Sequence, residues 1–335
     1  MKDLKNRTVL LTGAPGGIGP HLAYRLHAEG VSLVLSGRNQ AELERLATTL
    51  PPARFIVADL SREEEVEQLA AAAGPIDILI ANAAVPASGE LVTFSVEEID
   101  RALNVNLRSA IVLADLVLPG MLSRGAGHIV LMSSIQGKIA TALVSVYNAT
   151  KFGLRGFGLA LGQELRNSGV GVSVINPTFV RDAGMWAETG VAAHPLAGQV
   201  TPDQVAEAVV RAIKENRPEI DVAPLATRLA ATMPRLVGSM ARRLGATAFP
   251  RRRWRGRSRS AKVGGEAGPK EAICRKAKRE QRPSREPSPL PPPTWRHGAI
   301  TISTRCEATS PATCSSTVRP RIWSASTSTW TPRGA

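Results

Sequence analysis

The segment SVYNATKFG, residues 145–153, sets a tyrosine four positions ahead of a lysine in a chain that has only two tyrosines. On a helix, side chains at that spacing share a face, so Tyr147 and Lys151 can enter one cleft. A phenol with its ordinary pKa of about 10 is a poor base at neutral pH, but a neighbouring ammonium stabilises the phenolate and brings proton exchange within reach. A tyrosine at a helix boundary beside a solvated lysine is also a common arrangement with no chemistry attached. Upstream, Ser134 closes the run IVLMSS, where a hydroxyl could hold a carbonyl oxygen. Together the three suit proton transfer to or from the oxygen of an alcohol or ketone.

A second stretch, TGAPGGIGP (12–20), follows an apolar run and opens a helix-like segment. Gly13, Gly17 and Gly19, with Gly16 between them, serve a tight turn, close approach of backbone to a pyrophosphate, and close packing of helix on strand. The helix N-terminus offers free N–H groups to an anion, and Pro20 costs little in a first turn. The spacing is G-x-x-x-G-x-G, and no G-K-[ST] follows, which argues against a nucleotide-hydrolase loop. An acid at the end of the second strand would bind the ribose hydroxyls of NAD. Here that strand ends in Ser36, Gly37 and Arg38, and a guanidinium suits a 2′-phosphate, so NADP is favoured with NAD as the alternative. Arg38 as a plain solvated loop residue is the other reading.

These residues need a frame. Runs at 7–13, 32–37, 54–60, 76–84, 127–134 and 171–177 are continuous and rich in aliphatic residues, the pattern of strands buried on both faces. Helical spacing separates them at 18–29, 40–49, 62–73, 96–122, 146–168 and 202–216, the last with a cap signal at Thr201 and Pro202. A short final strand is expected within 219–224. The alternation predicts an α/β fold: a Rossmann-like doubly wound parallel sheet in a single domain, with ligands in the crevice at the carboxyl ends of its strands. The long segment 178–200 has no clear period and reads as a functional loop. Phe179, Met185 and Trp186 from it, with Ile135, Gln136 and Val144, form either core or the wall of an apolar substrate site.

In this order the residues resemble the short-chain dehydrogenase/reductase family from about residue 6 to residue 222. Thr12, Gly13, Gly16, Gly17, Ile18 and Gly19 match its cofactor loop, Asp59 with Leu60 its adenine contact, and Asn82 in ANAA its strand-four motif. Asn106 in NVNL, Ser134, Tyr147 and Lys151 match its catalytic asparagine, serine, tyrosine and lysine. The resemblance implies that Tyr147 exchanges a proton with the substrate oxygen as hydride moves to or from the nicotinamide. Ser134 would polarise that oxygen, Lys151 would contact the nicotinamide ribose and depress the phenol pKa, and Asn106 would hold a relay water. Pro177 and Val180 would contribute cofactor contacts after the sixth strand. Two departures stand out: the family's NNAG is ANAA (81–84), and its PG is Pro177-Thr178. The resemblance also implies a homodimer or homotetramer, through helices such as 96–122 and 146–168.

The function expected is therefore that of an NAD(P)-dependent oxidoreductase acting on an apolar alcohol or ketone. A non-catalytic cofactor-binding scaffold or sensor of the same fold is the alternative, and no metal site is assigned. Three regions are read: the dinucleotide-binding domain at 1–222, an amphipathic helical extension at 223–249, and a basic Pro/Arg/Ser-rich tail at 250–335. In the extension, Leu225, Leu229, Met233, Leu236, Met240 and Leu244 recur at steps of three and four, with Arg228, Arg235 and Arg242 on another side and Pro234 as a kink. It packs on its own domain or a second subunit, or lies on an anionic membrane surface as a peripheral contact. Lys+Arg and Asp+Glu balance through residue 249, so all of the net charge of +14 lies beyond it, together with all three cysteines. The tail reads as disordered, with nucleic-acid contact or translation in a shifted frame as further readings. The N-terminal apolar run is too short for a signal peptide or a membrane span, and a cytoplasmic location is expected.

Overall fold

The computed structural model describes residues 3–181 and 198–232. In chain order these form β1 (Thr8–Thr12), α1 (Gly19–His27), β2 (Ser32–Gly37), α2 (Gln40–Thr48), β3 (Arg54–Val57), α3 (Glu63–Ala73), β4 (Ile78–Ala81), α4 (Val96–Leu103), α5 (Ser109–Arg124) and β5 (Gly127–Met132). There follow α6 (Ser145–Glu164), β6 (Val170–Pro177), β7 (Phe179–Val180), β8 (Gln199–Val200), α7 (Pro202–Glu215), β9 (Glu219–Val222) and α8 (Leu225–Thr232).

Seven strands form one parallel sheet in the order β3-β2-β1-β4-β5-β6-β9. Every residue of β4, β5 and β6 is buried, because helices cover both faces of these strands. One core cluster joins Val9, Leu11, Leu22, Leu26 and Ile78 to Val205 and Val209, and a second, on the opposite face, joins Leu10, Leu79, Ile129 and Leu131 to Leu113 and Leu154. The helices start where local chemistry supplies caps. Ser95 with Glu98 and Thr201 with Gln204 form capping boxes for α4 and α7, and Asn39 accepts from the Glu42 N–H to start α2. Strand order reverses between β1 and β4, so the crevice opens at the carboxyl ends of those two neighbours.

The expected doubly wound sheet is present, with local differences. The strand read at 54–60 leaves the sheet after Val57, which frees Asp59 and Leu60 to turn. The segment 96–122 is not one α-helix: a π-helical turn, Asn104–Arg108, separates α4 from α5. The segment is apolar, but Val105, Ala110, Leu113, Ala114, Val117 and Met121 in it are buried in the fold. The ends of the 178–200 loop pair with each other as β7 and β8. In α8, Leu225 and Leu229 are 68% and 57% exposed, so these two leucines do not pack on their own domain. Met185, Trp186, the continuation of the amphipathic pattern past Thr232, and the tail at 250–335 lie outside the described residues.

Candidate active site

The glycine loop sits between the end of β1 and the start of α1, and its geometry requires its residue types. Gly13 has φ +64°, and a Cβ there would lie 2.7 Å from Ala83 Cα. A Cβ on Gly19 would lie 2.4 Å from the carbonyl oxygens of both Gly13 and Ala14. No side chain caps α1, whose N-cap is Ile18, and its first turn carries no acid. In the first turn Gly19 N–H donates to Gly16 O, Leu22 N–H to Ile18 O, and Pro20 has no N–H, so what this helix end offers an anion is chiefly its dipole. Asn82 Nδ2 donates to the carbonyls of Thr12 and Gly13, while Thr12 Oγ1 accepts from the N–H groups of Asn82 and Ala83. Asn82 thus ties the end of β4 to the end of β1, with ANAA standing where the family has NNAG.

At the outer end of the crevice, Arg38 is exposed beside Asn39, and Gly37 lies against Pro15 of the glycine loop. Burial works against the charge on Asp59, yet Ser61, which donates to it through N–H and hydroxyl, together with the positive charges of Arg38 and Arg101, holds the carboxyl below its usual range. Leu60 and Val180 are core residues, 7% and 8% exposed, so what they offer a ligand is backbone and not side chain. A loop that excludes Cβ atoms, an uncapped helix N-terminus and a cation beyond the second strand fit a dinucleotide phosphate chain.

On the other side of the crevice, α6 carries Tyr147 and Lys151 against the end of β5. Lys151 is 2% exposed and donates from Nζ to Met132 O at 2.8 Å. Its own carbonyl accepts from Ser133 Oγ at 3.0 Å, so two bonds fix this turn of helix to the strand. Lys151 Nζ lies 5.6 Å from the Tyr147 ring centroid. Ser134 Oγ accepts from the Gln136 N–H at 3.1 Å and donates to Pro177 O at 3.3 Å. Burial pushes the Tyr147 phenol up to about 12, with a hydrogen bond from Ser134 pulling it back, and burial pushes Lys151 down to about 8. The fold therefore brings together Ser134, Tyr147 and Lys151, but the depressed phenol expected from the lysine is not what burial produces in the chain by itself.

Asn106 lies at the centre of the π-helical turn, 1% exposed. Its side chain accepts from the Val85 N–H at 2.7 Å and donates to Val85 O at 2.9 Å. That amide thus spends one donor and one acceptor function on the loop after β4. The sequence reading missed Ser133, whose hydroxyl anchors Lys151, and Asn148, which fastens the loop after Ser134. Their places directly beside Ser134 and Tyr147 were the available signal.

A family model described as short chain dehydrogenase matches residues 7–193. The chain belongs to the short-chain dehydrogenase family. It is an oxidoreductase acting on C=O and CH–OH groups. Among curated relatives, ketoacyl reductase HetN from Nostoc sp. is 40% identical over 230 residues, covering 66% of this chain and 80% of that protein. An uncharacterized oxidoreductase from Staphylococcus aureus is 33% identical, covering 67% of this chain and all of its own length. Among solved structures, a short-chain dehydrogenase/reductase family protein superposes with a TM-score of 0.62 at 30% identity, covering 66% of this chain and 97% of that one. An actinorhodin polyketide ketoreductase solved with NADPH gives 0.60 at 28% identity, covering 67% and 98%.

Proposed function

We propose that this short-chain dehydrogenase reduces an apolar ketone with NADPH. The observation that carries the reading is the placing of a half-buried Tyr147 beside the buried Lys151 at the mouth of the sheet, across from a glycine loop shaped for a phosphate chain. A bound nicotinamide supplies the hydride. Tyr147 keeps its proton at neutral pH, because burial raises its pKa, and so holds it ready for a substrate oxygen that gains negative charge. Ser134 Oγ, oriented by the Gln136 N–H, donates to the same oxygen and polarises the carbonyl before transfer. Lys151, fixed by Met132 O, adds a positive charge one turn below. Asn106 keeps the loop after β4 in place through its two bonds to Val85.

Arg38 supports NADPH over NADH, and the ketoreductase solved with NADPH agrees with that choice. An apolar substrate is supported by the small cluster around the phenol, in which Val85, Phe94, Ile99 and Tyr147 pack on Ala87, Ala102 and Val146. Fluorescence titration with NADPH and NADH, followed by a screen of ketones, tests both points. In Tyr147→Phe, turnover should fall by about 10²–10⁴, the usual worth of a positioned proton donor, with NADPH affinity kept within about twofold. Turnover near the parent level would remove the phenol from the mechanism.

A further inference from the structure

Between Ser134 and Tyr147 the chain leaves the crevice and returns, and the two side chains must still meet at one substrate oxygen. The excursion begins with a single 3-10 turn, Ile135–Gly137. A turn of that length has little stability of its own, so its position must come from tertiary bonds. Asn148, next to Tyr147 in the first turn of α6, supplies them. It is 6% exposed, and its Nδ2 donates to Gln136 O at 2.5 Å and to Ile139 O at 3.1 Å, while its Oδ1 accepts from the Thr141 N–H at 3.3 Å. Both amide protons and the amide oxygen are thus used on backbone groups of one short segment.

The Gln136 residue links this amide to the chemistry. Its N–H donates to Ser134 Oγ, and its C=O accepts from Asn148. A Ser134 hydroxyl that accepts from Gln136 has its own proton to give; Pro177 O takes it at 3.3 Å, and the Tyr147 oxygen is the competing partner toward which it can turn. The bonds run without a gap from the Ser134 hydroxyl through the backbone of residue 136 to the side chain adjacent to Tyr147. We infer that Asn148 is a positioning residue: its amide sets the direction of the Ser134 hydroxyl relative to the Tyr147 phenol. The inference rests on the proposed proton-transfer role of that pair.

A direct readout exists because the chain has two tyrosines. The other, Tyr24, is half exposed on α1 and its hydroxyl bonds only to Thr49 among the described residues, so Tyr24→Phe leaves one phenol, at Tyr147. In that background the phenolate absorbance band titrates Tyr147 alone, with no turnover needed. Asn148→Ala should move this titration to higher pH, because the phenolate loses the aligned Ser134 donor. It should also lower kcat about tenfold, corresponding to roughly 1.4 kcal/mol, with NADPH affinity kept within about twofold. Asn148→Asp, which keeps an acceptor for Thr141 but faces the Gln136 and Ile139 carbonyls with a carboxylate, should do both more strongly. Asn148→Ser is the milder substitution should either variant fail to fold, with the same direction expected. An unmoved phenol titration with kcat within about twofold of the parent, in a variant that has merely lost thermal stability, overturns the inference. A parent protein that reduces no ketone defeats the proposed function instead, and the titration still reads the hydrogen bond.

Discussion

Burial sends the two ionisable groups of the candidate site in opposite directions, Tyr147 up to about 12 and Lys151 down to about 8. The lysine does not bring the phenol down in the chain alone, since its ammonium is directed at Met132 O and stands 5.6 Å from the ring centroid. That these side chains meet was legible from their spacing. Their charge states were not, because desolvation depends on what packs around the pair. The arrangement has a pH signature. Near neutral pH the phenol is protonated and Lys151 is mostly cationic, the combination suited to donating a proton to an alkoxide-like oxygen. As pH rises through about 8, Lys151 loses its charge while Tyr147 keeps its proton. The rate of ketone reduction, measured as kcat/KM against pH, should therefore fall along a limb centred near 8. Lys151→Met should remove that limb and lie below the parent at every lower pH.

At the scale of elements, seven strands and six helical segments could be read from apolar runs and helical spacing, since a strand buried on both faces leaves a continuous signature. The π-helical turn at Asn104–Arg108 could not. NVNLR continues an ordinary helical pattern, and what accompanies the extra residue is tertiary: the two bonds between the Asn106 amide and Val85. The pairing of β7 with β8 was equally hidden, because two residues carry no period. The glycine loop was legible as a motif, but only the structure ranks its positions. At Gly19 a Cβ meets two backbone oxygens at 2.4 Å, and neither can rotate away. Gly19→Ala should cost about 2–4 kcal/mol of stability and weaken NADPH binding more than tenfold. Gly156, within α6, has nothing within 4 Å of such a Cβ, and Gly156→Ala should stabilise by up to about 1 kcal/mol through helix propensity. Thermal melts of both variants, with an NADPH titration of the first, check the contrast.

For the molecule as a whole, the end of the sheet opposite the crevice holds an acid-sensitive contact. His128, 1% exposed at the start of β5, bonds through Nε2 to Ser173 Oγ at 2.8 Å, and that hydroxyl donates to Arg217 O at 2.6 Å. The serine proton is thus used on the carbonyl, so the ring must donate, and a neutral Nε2–H tautomer links β5, β6 and the segment between α7 and β9. Burial pushes this imidazole down to about 3 from its ordinary 6.5. The unfolded chain therefore binds a proton near pH 6.5 that the folded chain refuses until about 3, so stability is complete above 6.5 and is lost as pH falls through that window. The full shift corresponds to an upper bound of about 5 kcal/mol. Glu29, Asp59 and Glu219, whose carboxyls are also held low, add their own losses only nearer the carboxylate range, which leaves the upper part of the window to the histidine. Urea midpoints should fall steadily between about pH 6.5 and 5 in the parent protein. In His128→Gln, whose amide N–H can still reach Ser173, that slope should flatten, whatever the midpoint at neutral pH. General charge repulsion in so basic a chain would act equally on both proteins, so the difference between the two slopes isolates this one buried ring.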